Sequence, residues 1–395
     1  METYIFYYEN MNMGGCQLLI MNMAKELISR GNKVIVFCKY IDDIIIDHSP
    51  NVSVNAFDKN WKKDSIVKES IRSFQNVNIV TFIWDDYCRL YSLKNYNQKL
   101  IFYAVHCDMV KFAAYSNNSI LRNVRKAFLG VTIKKLAENK NLVVMDEQTI
   151  VHSEAYYGFS FNDAYIIHIP VNVSDAIVDS IEFQNRLKRK ERNILAIARA
   201  DFPFKGYLLG LINALKNEII PPEYSLTIVS YGKDLNLLID ALNSLDESQK
   251  NRVLLLGETP YSDLKELFFS ATIYVGMGTT ILDASKYGVV SIPVVAYTND
   301  LLCNHFFHDN TEWVAIDNGS SDKIGELIFH YENMSFDERK EAILNCINVV
   351  KNSYGIDNSI NRLEEVFNNM KIYKDNRIKI SYFFRKIKRL LIRGN

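Results

Sequence analysis

The sequence predicts an α/β protein built as two Rossmann-like domains, each a parallel sheet with helices on both faces. Three observations carry this prediction. Short apolar runs that read as buried strands alternate with segments of helical periodicity. The alternation lapses once near the middle and then restarts. A length of 395 residues suffices for two domains, each with its own core.

The chain opens with a β–α–β unit. Residues 4–8 form an apolar strand, and Gly14-Gly15 sits in the turn after it. Leu19, Met23 and Leu27 then recur at helical spacing, Gly31 stops the helix, and 34–38 is the next buried strand. Apolar runs follow at 77–84 and 100–105, whereas 141–151 fits helix and strand equally well. The lapse falls around 172–192, a charged stretch containing Lys188-Arg189-Lys190, and marks the linker. Strands resume at 194–198, 226–230, 253–256, 273–275 and 289–295. Helical segments at 207–216, 234–245, 262–269 and 280–286 fill the gaps, and Gly288 closes the last of them. The domains expected are 1–175 and 190–350, followed by a C-terminal helical segment, 351–395, that ends in a basic amphipathic tail.

Composition narrows the function. Residues 4–8 are too short and lack the basic flank of a signal peptide, and no apolar run nears the roughly 20 residues that cross a bilayer. A cytoplasmic protein is expected. Cys16, Cys38, Cys88, Cys107, Cys303 and Cys346 show no CxxC pair, so they read as reduced thiols rather than a disulfide or metal framework. The 46 basic and 46 acidic residues cancel, which argues against nucleic-acid binding. The balance is uneven, however: residues 371–395 hold nine Lys/Arg and one acid, Asp375. There Ile378, Ile380, Tyr382, Phe383, Phe384, Ile387, Leu390, Leu391 and Ile392 lie among the basic residues. Such a helix can rest on the anionic inner surface of a membrane, and the competing reading is a terminal helix packed on the protein.

In parallel sheets, ligands bind beyond the carboxyl ends of the strands, where helix N-termini offer amides to anions. Gly14-Gly15 lies at such a place, although a glycine pair also serves ordinary turns. It is not the GxGxxG fingerprint, which disfavours a nicotinamide dehydrogenase. His106 directly follows the 100–105 strand and can bond a hydroxyl or phosphate, or simply pack as a loop histidine. In "ARADFPFKG", Arg199 ends a strand and Lys205-Gly206 opens a helix, a pair of cations suited to a diphosphate. In "GMGTTILDAS", Gly278, Thr279 and Thr280 present amides and hydroxyls at a helix start. Asp283, one turn further on, can accept hydrogen bonds from a ribose or favour the helix dipole.

Taken in order, these segments resemble the retaining GT-B glycosyltransferases of family four, of the bacterial cell-surface polysaccharide type, over about residues 4–297. Gly14-Gly15-Cys16-Gln17 matches the family's glycine-rich loop, and "YAVHCD" its strand ending in an active-site His, here His106. "IVHSEA" is similar to "VSEA", "HIPVNV" to "IPNGV", and "ARADFPFKG" to "GRLxxxKG", with Ala198 in place of the first glycine. "LLLGETPYSDLKELFFSATIYV" and "GMGTTILDASKYGVVSIPVVA" resemble the two remaining family segments. The resemblance implies a GT-B fold, with two Rossmann-like domains facing across a cleft, and an enzyme (a hexosyltransferase-like glycosyltransferase) that moves a sugar from a nucleoside-diphosphate donor with retention. It implies that Arg199 and Lys205 hold the pyrophosphate, that His106 lies near the donor sugar, and that Thr259 and Tyr261 lie beside the nucleobase. Gly278, Thr279, Thr280 and Asp283 would complete the donor site, and Gly14 and Gly15, with Asp85-Asp86, the acceptor side. The expected acceptor is a glycan or lipid-linked sugar at the inner face of the cell membrane. No metal or other cofactor is expected, because two cations and a helix terminus can hold the diphosphate. The family also carries two acids eight residues apart in its last motif; Asp283 fills the second place, Val275 stands at the first, and the loop before it is short. That departure keeps a non-catalytic GT-B subunit, binding nucleotide or a partner, as the alternative, with a sugar-nucleotide epimerase behind it.

Overall fold

A computed structural model describes residues 1–12, 15–42, 51–106, 108–112, 119–161, 163–173, 192–260, 263–311, 313–315 and 324–383. Gly14, Tyr261, Cys107, the linker stretch 174–191 and the tail beyond 383 therefore lie outside the described residues. The chain divides into two compact units, Met1–Pro170 with Ile356–Asn395, and Val171–Gly355.

In the first unit, strands β1 (Thr3–Tyr7), β3 (Lys33–Cys38), β5 (Ser53–Ala56), β6 (Asn78–Thr81), β7 (Lys99–Ala104), β8 (Leu142–Val144) and β9 (Tyr165–Ile166) form one sheet. Their order is β5-β3-β1-β6-β7-β8-β9, and every pairing is parallel. β2 (Asn10–Met11) and β4 (Tyr40–Ile41) add a small parallel ladder just past β1 and β3. The strands are near-continuous apolar runs because both faces are covered. Alternate residues enter opposite cores: Tyr4, Phe6, Val34, Val36, Ile101 and Tyr103 enter one, and Ile5, Tyr7, Ile35, Phe37, Leu100 and Phe102 the other.

Helix Gly15–Ser29 covers the first face through Leu19, Ile20, Met23 and Leu27. Helix Ile356–Asn369 shares that face with Ile360, Leu363, Val366 and Phe367, which is why the chain's end belongs to this unit. Arg30 ties the two helices together, donating to Asn361 at 2.6 Å and pairing with Asp357 at 3.0 Å. The other face is covered by helices Asp64–Arg72, Trp84–Leu93 and Ser119–Glu138.

The second unit holds β10 (Arg192–Ile197), β11 (Tyr224–Val229), β12 (Val253–Leu256), β13 (Ile273–Gly276) and β14 (Val290–Pro293), all parallel, in the order β12-β11-β10-β13-β14. Numbered within each sheet, the first runs 3-2-1-4-5-6-7 and the second 3-2-1-4-5, both following the Rossmann order. The unit ends with helix Phe336–Tyr354, opened by a capping box between Ser335 and Glu338.

The ambiguous 141–151 stretch splits into β8 and helix Glu147–Tyr157, whose N-cap Asp146 accepts from Thr149 N–H at 2.7 Å. The expected C-terminal segment, 351–395, is not one body: 351–354 finishes the helix of the second unit, and the chain from Ile356 packs on the first. A further helix spans 376–383. Its Ile378 is fully buried, and Tyr382 donates to Asp64 at 2.7 Å, so this part of the expected membrane-facing tail packs on the protein. Asp375 fastens it by pairing with Arg377 at 2.7 Å and accepting from Thr132 at 3.1 Å. Among the described residues no helix is long and apolar enough to cross a membrane.

Candidate functional site

The strand order reverses between β10 and β13 in the second unit, and at such a switch point the loops part to leave a crevice. Arg199 leaves the carboxyl end of β10, and Gly278-Thr279-Thr280 follows β13 on the adjacent strand. Arg199 and the Gly278–Thr280 helix start therefore follow neighbouring strands.

Only Met277 and Gly278 separate β13 from helix Thr279–Lys286. Gly278 takes φ 75° and ψ −153°, a region essentially reserved for glycine, and so turns the chain sharply into the helix. The amides of the first turn and the positive end of the helix dipole then lie beside the switch point. Thr280 Oγ1 donates to Met277 O at 3.3 Å. Val275 lies inside β13, fully buried in the core of the unit, where an unpaired carboxylate is costly.

Arg199 is well exposed and pairs with Asp201 at 3.0 Å. Asp201 also pairs with Lys233 at 3.0 Å, and Lys233 and Arg199 together hold its carboxyl below the usual range. Asp234 accepts from the Phe202 amide at 2.8 Å and fixes the loop that carries these groups. Lys205 is half-buried with its ammonium 4.7 Å over the Phe204 ring. Burial, reinforced by the charge of Arg199, pushes its pKa down to about 8. An ammonium so disfavoured has much to gain from an incoming anion. Gly206 is required by packing, because a Cβ there would lie 2.2 Å from Thr298 O. Gly232, at φ 117°, lets β11's exit pass Arg199, where a Cβ would lie 2.7 Å from its Cγ. The sequence reading missed Asp201, Lys233 and Asp234. The Gly232-Lys233 pair past the neighbouring strand is the signal that would have drawn attention to them.

Asp283 is largely buried and pairs with Lys286 at 2.6 Å, one turn along the helix, so its carboxylate is already engaged. Thr259 follows β12, the edge strand, which lies two strand spacings, about 10 Å, from β10. Its hydroxyl donates to Gly257 O at 3.1 Å.

In the first unit the switch point falls between β1 and β6. Gly15 opens helix Gly15–Ser29 after β2, and among the described residues nothing lies within 4 Å of a Cβ built there. Asp85 and Asp86 occupy the first turn of helix Trp84–Leu93 after β6. His106 lies two residues past β7, half-buried. Its Nδ1 accepts from the Asp108 amide at 3.2 Å. Among the described residues no group of three His, Cys, Asp or Glu side chains gathers to hold a metal.

No protein-family model matches the chain, and no curated protein matches it in sequence. Solved structures do match in fold. HepE of Anabaena in complex with UDP and glucose is 13% identical with a TM-score of 0.61, covering 94% of this chain and 100% of that one. A glycosyltransferase of Rickettsia africae is 14% identical with a TM-score of 0.65, covering 93% and 99%. WaaG, a glycosyltransferase involved in lipopolysaccharide biosynthesis, is 15% identical with a TM-score of 0.56, covering 92% and 99%. Likeness over nearly the whole of each chain, together with two sheets in Rossmann order, establishes that this protein has the GT-B fold of glycosyltransferases.

Proposed function

We propose that the protein is a glycosyltransferase that takes a sugar from a nucleoside-diphosphate donor bound at the switch point of the second unit. The observation that carries the reading is the convergence of Arg199, the half-buried Lys205 and the Gly278–Thr280 helix start at adjacent strand ends. The diphosphate would accept from the Arg199 guanidinium, the Lys205 ammonium and the amides at the helix start. As the anomeric C–O bond breaks, negative charge builds on the leaving diphosphate, and these groups would stabilise it where it forms. Cations and dipoles that are in place beforehand need no reorganisation at the moment of reaction.

We further propose retention of configuration. The acceptor oxygen attacks the face the diphosphate leaves, and its proton passes to the departing phosphate oxygen, with no protein nucleophile. Resemblance to the family supports this, as it supports His106 as a hydrogen-bond partner of the sugar. HepE with UDP and glucose, and WaaG with its lipopolysaccharide role, support a sugar-nucleotide donor and a cell-surface glycan or lipid-linked acceptor. In this reading the chain works on the cytoplasmic side of the membrane, and the basic residues past 383 are proposed to contact its inner face.

One observation favours a second reading, a GT-B subunit that binds nucleotide without turnover. Val275 removes the first acid and Lys286 engages the second. A thermal-shift panel of nucleoside diphosphates and their sugars, run on the parent protein, Arg199→Ala and Lys205→Ala, tests the donor site. A shift with one base family that both variants lose supports it, and no shift with any ligand overturns it. Sugar release or transfer by the shifting donor then separates the two readings.

A further inference from the structure

Among the described residues, Tyr297 is the one aromatic side chain on a left-handed backbone, at φ 63°. Lys140, Glu218 and Thr311 take positive φ where helices end, a place that tolerates it. Tyr297 takes it in a loop, four residues past β14. A bulky residue is disfavoured there, and the conformation persists only where its surroundings impose it. Here they do. The Tyr297 amide donates to Phe204 O at 3.2 Å, and the two rings lie 4.9 Å apart at 46°. The residues beyond press closely on helix Tyr207–Lys216, where a Cβ on Gly210 would lie 2.6 Å from the Leu301 amide nitrogen. Despite this anchoring, Tyr297 is 60% exposed. The ring is held in place yet presented outward, so its burial does little to offset the strain.

Its neighbours indicate what it faces. Phe204 also carries the Lys205 ammonium 4.7 Å from its ring centre, so Tyr297 stands one ring away from the cation proposed to hold the diphosphate. The sheet order gives a direction. Thr259, proposed beside the nucleobase, follows β12 on one side of β10, whereas Tyr297 comes to the exit of β10 from β14, on the other side. The diphosphate separates base from sugar, so a donor whose base lies toward β12 carries its sugar toward β14. The apolar part of a sugar is the flat C–H face of its pyranose ring, and an aromatic ring can cover that face without a hydrogen bond. We propose that Tyr297 receives the pyranose ring of the donor against its exposed face, with Phe204 behind it, and so favours sugars whose C–H face is unobstructed. The inference rests on the donor-site reading of the second unit and names the part of the donor that this residue recognises.

Isothermal titration of the full chain without acceptor tests the inference. The probes are UDP against UDP-glucose and UDP-N-acetylglucosamine, and GDP against GDP-mannose. Tyr297→Asn is the informative variant, because asparagine accepts positive φ more readily than tyrosine and the loop keeps its course while the ring goes. If it does not fold, Tyr297→Gly, which takes this φ freely, stands in. The sugar nucleotide that the parent binds best should lose about five- to tenfold in affinity, the worth of one ring contact. The matching nucleoside diphosphate should change less than about twofold, which also shows that the variant is folded and Lys205 undisturbed. Tyr297→Phe should keep the affinity for the sugar nucleotide, because the ring face and not the hydroxyl makes the contact. Equal losses for diphosphate and sugar nucleotide would overturn the inference, since Tyr297 would then serve only to seat Lys205. A loss confined to the KM of the acceptor overturns it too, by putting an acceptor sugar on the ring. If the parent binds and neither probe of a pair responds to Tyr297, the inference falls alone; a parent that binds no probe takes the donor-site reading down with it.

Discussion

In the proposed donor site, Lys205 makes ligand affinity answerable to pH. Burial holds its free-protein pKa at about 8. At pH 7 about 90% of the molecules then carry the ammonium, and at pH 9.5 about 3%. A diphosphate beside it restores the charged form, so binding takes up a proton wherever the free lysine is neutral. Affinity must therefore fall as pH rises through 8. If the bound pKa returns to the ordinary lysine value, Kd weakens by about thirtyfold between pH 7 and 9.5. The unliganded protein behaves oppositely. A lysine whose pKa is lower folded than unfolded adds stability as pH climbs from about 8 toward the ordinary value, so the lost affinity is not unfolding. Isothermal titration with the donor selected by the thermal-shift panel measures this, because its diphosphate diester does not titrate in the range. Lys205→Arg should flatten the profile, and Lys205→Met should flatten it at weak affinity. A parent Kd that changes less than about threefold, or a Lys205→Arg profile as steep as the parent's, would refute the reasoning.

Three further outcomes follow from packing. Gly206→Ala drives a Cβ to 2.2 Å from Thr298 O, and the backbone must shift at a cost of at least about 2 kcal/mol, read as a melting point lower by several degrees. Val275→Glu reinstates the missing acid in sequence but inside the core, so the product should be a protein several kcal/mol less stable with no gain in transfer rate. A stable, more active variant would show that β13 ends earlier than described. Arg89 is buried and donates to Asp64 at 3.1 Å, Tyr7 Oη at 2.8 Å and Trp61 O at 2.6 Å. Arg89→Met removes the donor to Tyr7 Oη and Trp61 O and leaves Asp64 with Tyr382 but no counter-charge, and urea unfolding should register a loss of about 3 kcal/mol; a loss under about 1 kcal/mol would mean water replaces the guanidinium.

How much was legible in the sequence follows from what is local. Strands and helices were readable because their apolar periodicity is a property of neighbouring residues: Tyr4, Phe6, Ile5 and Tyr7 announce a strand buried on two faces before any partner is known. Gly278 and Thr279 were readable as a helix start, and Arg199 and Lys205 as strand-end and helix-start cations, for the same reason. The membership of helix Ile356–Asn369 was not, since it depends on Arg30 and on a sheet face more than 300 residues earlier in the chain. Nor did sequence disclose that Lys286 engages Asp283, that Lys233 shares Asp201 with Arg199, or that Ile378 is interior while Val124 is not. Apolar and charged residues look alike in a sequence wherever they end up. Which are covered and which paired is decided when distant segments compete for the same surface, and that competition is settled only in three dimensions.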